Sequence, residues 1–262
     1  MHLPTPEFPT DSQAQRAHDR RRLLRALNAS LAFVLVLGGV FLAQPYFDVA
    51  AWTVQPHALS GLRGLLAAPL LHGSLEHLAA NAISLLLLGT LAGAVYPRAT
   101  LRALPLLWLG SGLAAWLLGE TGSHHLGASG LTHGLMFLVF SLGLLRRDRP
   151  SVAAAMIAFF LYGGMLLTVL PREAGVSWQA HLGGALAGLA AAWLFRRADP
   201  VPPRRRYSWE IEEELAAQAA LRERDELEPA SPREVPVLWQ RDTQDHRNER
   251  GVVLSFPPRR DG

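Results

Sequence analysis

The stretch that decides the fold is Gly127-Ala-Ser-Gly-Leu-Thr-His-Gly-Leu-Met-Phe-Leu-Val-Phe-Ser-Leu-Gly-Leu-Leu145. It opens on small and polar residues, then runs apolar to a pair of arginines, Arg146 and Arg147. Its length is close to the ~20 residues a helix needs to cross ~30 Å of hydrocarbon. Five other runs share this character, at roughly 28–47, 75–95, 101–119, 151–170 and 178–195. They are continuous rather than alternating, so they read as helices and not as the strands of a barrel. Several contain Gly or Pro, which neighbouring helices accommodate in a membrane bundle. The fold expected is an all-α membrane protein, a six-transmembrane-helix bundle with a charged C-terminal tail.

Composition supports this class. Half of the 262 residues are hydrophobic, too many for an ordinary soluble domain with a charged tail. There is no cysteine, which excludes disulfides, cysteine metal sites and a thiol nucleophile. All 25 basic side chains are arginine, and Ala, Leu, Gly and Pro are abundant, a composition that suggests a high-GC bacterial genome. The net charge of +3 is small. The arginines lie beside the apolar runs and read as topology signals, not as a nucleic-acid surface.

These arginines set an orientation. Arg98 and Arg102 follow the second run, Arg146, Arg147 and Arg149 the fourth, and Arg196 and Arg197 the sixth. The opposite connections offer only Arg63 and Arg172. The positive-inside bias therefore places both termini in the cytoplasm of a multi-pass protein, in a bacterial inner membrane. The N-terminal segment, 1–27, ends in Arg16, Arg20, Arg21, Arg22 and Arg25. It is long for a secretory signal and lacks a small-x-small cleavage site near Gln44, so the first run reads as an uncleaved span. The membrane domain is expected over 28–198 and a cytoplasmic tail over 199–262. The first outside loop, about 48–74, carries Trp52, Leu62, Leu65, Leu66, Leu70 and Leu71 and is expected on or in the outer leaflet. In the tail, 208–227 reads as a charged helix with Ser208 as its cap; Val235–Trp239 and Val252–Phe256 have the pattern of two short strands, but a solvated tail is the favoured reading of that remainder.

Strongly polar residues inside spans are costly and usually face the protein interior or a water-filled cavity. Here they are His72, His77 and Asn81 at the second span, Ser129 and His133 in the fourth, and His181 in the sixth. All three spans enter from the outside and carry these residues near their start, so the constellations sit at similar depth. His77 and Asn81 are i, i+4 and share a face. His181, Gly184 and Gly188 form one stripe, and the Gly184-x-x-x-Gly188 pair lets a neighbouring helix approach closely. That approach would bring His181 against Ser129.

A serine hydroxyl is a weak nucleophile and needs a base to take its proton, a task an imidazole performs near neutral pH. Ser129 is thus the candidate nucleophile and His181 the candidate base. No Asp or Glu lies in either span, so the arrangement is a dyad. The developing oxyanion needs donors, for which the Ser129 N–H, Asn81 and His77 are candidates. Gly127 would let the backbone approach a substrate closely. Taken singly, each feature has a plainer use: the serine bonding its own helix, the histidine at an interface, the asparagine as interhelical glue. Together, at one depth on three spans, they point to hydrolysis without a metal or cofactor.

At this point the chain resembles the rhomboid intramembrane serine proteases over about residues 28–197. Gly127-Ala-Ser-Gly130 resembles the family's G-x-S-G motif, His72-x4-His77-x3-Asn81 its histidine–asparagine motif, and His181-x2-Gly184-x3-Gly188 its last-helix motif. The resemblance implies Ser129 as nucleophile and His181 as general base. It implies an oxyanion hole of His77, Asn81 and the Ser129 N–H, with Gly127 beside it and His72 as an accessory residue. It also implies single-pass transmembrane proteins as substrates, entering laterally from the lipid bilayer and cut in or near their membrane segment. Two departures stand out. The first loop has Leu62-Arg63 where many members have Trp-Arg. His133 stands where many carry an aromatic that stacks on the catalytic histidine. A histidine there is similar to the rhombosortase branch, which processes proteins with a C-terminal Gly-Gly anchor. Two other functions compete: a rhomboid-like pseudoprotease that holds membrane clients, and a small transporter with histidines as a proton relay. The intact Ser–His pair argues against the first, and the lack of a deep Asp or Glu against the second.

Overall fold

The computed structural model describes residues 12–171, 175–200 and 208–227. Contacts divide the chain into two units, Met1–Pro202 and Pro203–Gly262. In the first unit α1 runs Ser12–Ala43, α2 Gly64–Ala67, α3 Leu75–Val95, α4 Pro97–Leu118, α5 Ser129–Arg146, α6 Arg149–Tyr162 and α7 Trp178–Phe195. In the second, α8 covers Ser208–Leu227, the interval expected for the tail helix. The Ser208 side chain, on which the cap depends, and the tail segments 235–239 and 252–256 lie outside what is described. Among the described residues, the only β pairing is an isolated bridge between Val54 and His125.

Among the described residues, five helices are long and apolar enough to cross a membrane: α1, α3, α4, α5, and α6 with the turn that follows it. The sixth apolar run forms α7, which is as long as α5 at 18 residues but carries Gln179 and His181 in its first turn. α7 packs chiefly on α5 and α4, α1 lies on α3, and α6 lies on α5. Apolar side chains point outward in numbers that suit a lipid environment: Leu35 and Leu42 on α1, Phe160 and Leu161 on α6, and Trp193 and Leu194 on α7 are all exposed. Polar ones turn inward: Asn81, Thr132, His133, Gln179 and His181 are buried.

Local chemistry sets the helix ends. Ser74 caps α3, its hydroxyl accepting from the His77 N–H at 3.1 Å. Asp148 caps α6 by accepting from the Ser151 N–H at 3.1 Å. Asp199 does the same for α4 from a distant part of the chain, accepting from the N–H groups of Arg98 at 3.0 Å and Ala99 at 2.9 Å. The Arg146 guanidinium then binds the carbonyls of Arg196 at 3.1 Å and Asp199 at 2.8 Å, which ties the segment after α7 to the end of α5.

The close approach of α5 and α7 is a matter of missing side chains. A Cβ on Gly184 would fall on the Gly130 carbonyl, and one on Gly188 would stand 2.5 Å from the Gly134 carbonyl. The Gly184-x-x-x-Gly188 pair on α7 therefore faces a second small pair, Gly130-x-x-x-Gly134, on α5. Gly183 uses the other side of α7 in the same way against Gly110 of α4. This is the packing by which small residues bring helices together in lipid.

Candidate active site

Ser129 is the first residue of α5 and His181 lies in the first turn of α7. With the two helices in backbone contact, the Ser129 Oγ and His181 Nε2 stand 2.9 Å apart. The other ring nitrogen, Nδ1, is 3.0 Å from the Thr168 carbonyl. A carbonyl only accepts, so His181 carries its proton on Nδ1 and leaves Nε2 as a lone pair for the serine hydroxyl. This is the tautomer a general base for Ser129 needs.

His133, one turn after Ser129, lies flat against His181. The rings are 3.8 Å apart at their centroids and 11° from parallel. The place where many rhomboids carry an aromatic is thus filled by an imidazole that stacks in the same sense. Its Nδ1 is 2.6 Å from the Ser129 carbonyl and its Nε2 is 2.8 Å from the Thr168 hydroxyl.

Gly127 has φ +111, in the region that favours glycine, and a Cβ there would stand 2.5 Å from the His77 ring. His77 is therefore brought against the backbone two residues before the serine. Asn81, one turn further along α3, is buried, and its amide nitrogen has no hydrogen-bond partner among the described residues. His72 is fully buried beside His77, with ring centroids 5.1 Å apart, and neither of its ring nitrogens has a partner there. Gln44, just past α1, holds the His72 backbone at both ends. Its amide donates to the His72 carbonyl at 2.8 Å and its oxygen accepts from the His72 N–H at 2.9 Å.

The first-loop arginine, whose sequence neighbour is Leu62, finds a tryptophan elsewhere in the same loop. Arg63 sits over the Trp52 ring at 5.9 Å. The loop is fastened to the α4–α5 connection by hydrogen bonds between Thr53 and His124 at 2.8 Å and between His57 and the Gly119 carbonyl at 3.1 Å. His125 in that connection bridges Ser123, at 2.8 Å, and Ser177 at the start of α7, at 2.6 Å.

The family model for the Rhomboid domain matches residues 60–198, more than half of the chain. The chain belongs to the rhomboid family. Uncharacterised proteins of Mycobacterium bovis and Mycobacterium tuberculosis are each 40% identical to it over 149 residues, 54% of this chain and 62% of theirs. The chain thus spans less than two thirds of the length of these mycobacterial relatives. The chloroplastic rhomboid-like protein 11 of Arabidopsis thaliana is 26% identical over 220 residues, 74% of this chain and 73% of its own. The matched span includes Ser129, His181, His77, Asn81 and Gly127. Sequence reasoning names Ser129, His181, His77, Asn81 and Gly127. It misses Thr168, Gln44 and the Gly130–Gly134 pair. The second small-x-x-x-small spacing is written in the sequence, but Thr168 carries no motif.

Proposed function

We propose that this rhomboid is an intramembrane serine endopeptidase that cuts single-pass membrane proteins in or near their transmembrane segment. The observation that carries the reading is the 2.9 Å contact between Ser129 Oγ and His181 Nε2 with Nδ1 committed to the Thr168 carbonyl. Ser129 attacks the scissile carbonyl as its proton passes to His181 Nε2. The charge that develops on the substrate oxygen is met by the Ser129 N–H, at the positive end of the α5 dipole, and by Asn81 and His77. The His181 imidazolium, held by the Thr168 carbonyl, gives its proton to the leaving amine. Water then hydrolyses the acyl-enzyme by the same steps in reverse, with His181 again as base.

Substrates enter from the bilayer beside α6, whose outward face is apolar and whose end at Gly163 passes into the connection that bears Thr168. The positive-inside bias places both termini in the cytoplasm and the dyad toward the outer face.

The test is fluorophosphonate labelling of the purified protein, comparing wild type with Ser129→Ala and His181→Ala. Labelling of the wild type and of neither variant is expected. A folded wild type that stays unlabelled in both detergent and lipid would replace the protease by a protein that holds membrane clients without cutting them.

A further inference from the structure

Thr168 stands in the connection between α6 and α7 and touches both stacked imidazoles with different atoms. Its carbonyl receives His181 Nδ1 at 3.0 Å, and its hydroxyl lies 2.8 Å from His133 Nε2. The ring closes through His133 Nδ1, 2.6 Å from the Ser129 carbonyl.

These contacts fix the direction of each proton. Carbonyls only accept, so both His133 and His181 carry a proton on Nδ1. In the neutral ring His133 Nε2 is then a lone pair, and the Thr168 hydroxyl donates to it. The hydroxyl has another acceptor in the Met165 carbonyl, but at 3.1 Å that contact is the longer of the two. The loop runs from the Ser129 hydroxyl to His181, from His181 to the Thr168 carbonyl, from the Thr168 hydroxyl to His133, and from His133 back to the Ser129 carbonyl. Every donor in it has an acceptor.

We propose that Thr168 is a positioning residue for the Ser129–His181 dyad: its hydroxyl holds His133 as the neutral Nδ1–H tautomer, flat against the base. This rests on the protease reading above. The benefit is electrostatic as well as steric. When His181 takes the serine proton, a positive ring lies face to face with His133 at 3.8 Å. A neutral imidazole presents a π face that tolerates the charge, whereas a protonated one repels it. The Thr168 hydroxyl occupies the lone pair on which a second proton would sit. It also stops the His133 ring from turning about its last torsion, which is otherwise broad.

The full chain in detergent, assayed by its rate of fluorophosphonate labelling, tests this. Thr168→Val keeps the branched shape and drops the hydroxyl, whereas Thr168→Ser keeps the hydroxyl. Val is expected to slow labelling about tenfold and Ser by no more than about twofold; Val also leaves the buried His133 Nε2 without its donor, so the thermal midpoint falls in Val and holds in Ser. If Val does not fold, Thr168→Ala takes its place in the comparison with Ser. In a His133→Phe background the Val substitution is expected to cost nothing further, because the partner of the hydroxyl is gone. A threonine that merely packs would lose the same factor in both backgrounds, and that additivity would overturn the proposal. Labelling of Thr168→Val at the wild-type rate, with Ser129→Ala silent, would also overturn it while leaving the dyad intact. A folded wild type that never labels removes both readings.

Discussion

Asn81 is a cost the fold bears without return. Its side chain is 4% exposed and its amide nitrogen has no partner among the described residues. A buried donor left in that state costs ~1–3 kcal/mol. In the proposed mechanism the missing acceptor is the oxyanion, present only while substrate reacts. Replacing Asn81 by Ala is therefore expected to slow labelling by ~10²–10³-fold and to leave the thermal midpoint unchanged or raised. A lowered midpoint with unchanged labelling would make Asn81 a packing residue. Asn81 is singled out in the sequence because the i, i+4 spacing puts it on the face of His77. Thr168 shows the opposite case. A threonine near the end of an apolar run has many ordinary uses, and its place beside two imidazoles depends on where α6 stops. His133 falls between the two. Its position is readable, but that an imidazole stacks as an aromatic does is a fact of geometry.

Helix boundaries diverge from apolar-run boundaries for reasons that can be named. The first apolar run begins near Asn28, yet α1 begins at Ser12, because its arginines are good helix formers that carry the helix on past the hydrocarbon. One of them, Arg22, donates to the Val95 carbonyl at 3.1 Å, meeting the negative end of the α3 dipole. The fifth run reads apolar to residue 170, but α6 ends at Tyr162, where Gly163 and Gly164 follow. That early stop frees the segment holding Thr168 to reach the dyad. The pairing of α5 and α7 carries a sharper expectation. Gly184→Val would drive its side chain into the Gly130 carbonyl, and the helices would have to part. The expected cost is ~1–3 kcal/mol in thermal unfolding, with labelling lost as Ser129 and His181 leave hydrogen-bond reach. Gly39→Ala on α1 is the control, since nothing lies within 4 Å of a Cβ there. It should be neutral or slightly stabilising. If both variants label like wild type, close approach of α5 and α7 does not hold the dyad. At the other end of the bundle, Asp199→Ala removes the acceptor for two N–H groups of α4. It is expected to cost ~0.5–2 kcal/mol in the same unfolding experiment, with the labelling rate of the folded fraction unchanged.

Across the whole molecule, the run pattern and arginine placement give the membrane class and the order of the helices. They say little about how the loops are fastened, because those contacts join residues far apart in sequence. Histidines outside the helices do much of that work. His57 and His124 hold the first loop to the α4–α5 connection, and His125 holds that connection to the start of α7 through Ser177. The His125 pKa is lowered, first by burial and then by the neighbouring His124, with Glu120 opposing. The consequence for stability follows from proton counting. The unfolded chain protonates His125 near the ordinary ~6.5, while the folded chain does so only at lower pH. Below ~6.5 the unfolded state therefore binds more protons, and stability falls as pH falls; above it the contribution is flat. The thermal midpoint of the purified protein should drop between about pH 7 and about pH 5, and the drop should be shallower in His125→Asn, which cannot titrate but can still hydrogen-bond Ser177. Because Ser177 immediately precedes the helix that carries His181, this fastening bears directly on the site. Labelling of the wild type should thus become less heat-resistant at the acid end of that range. An equally steep loss of midpoint in His125→Asn would move the linkage to the other buried histidines.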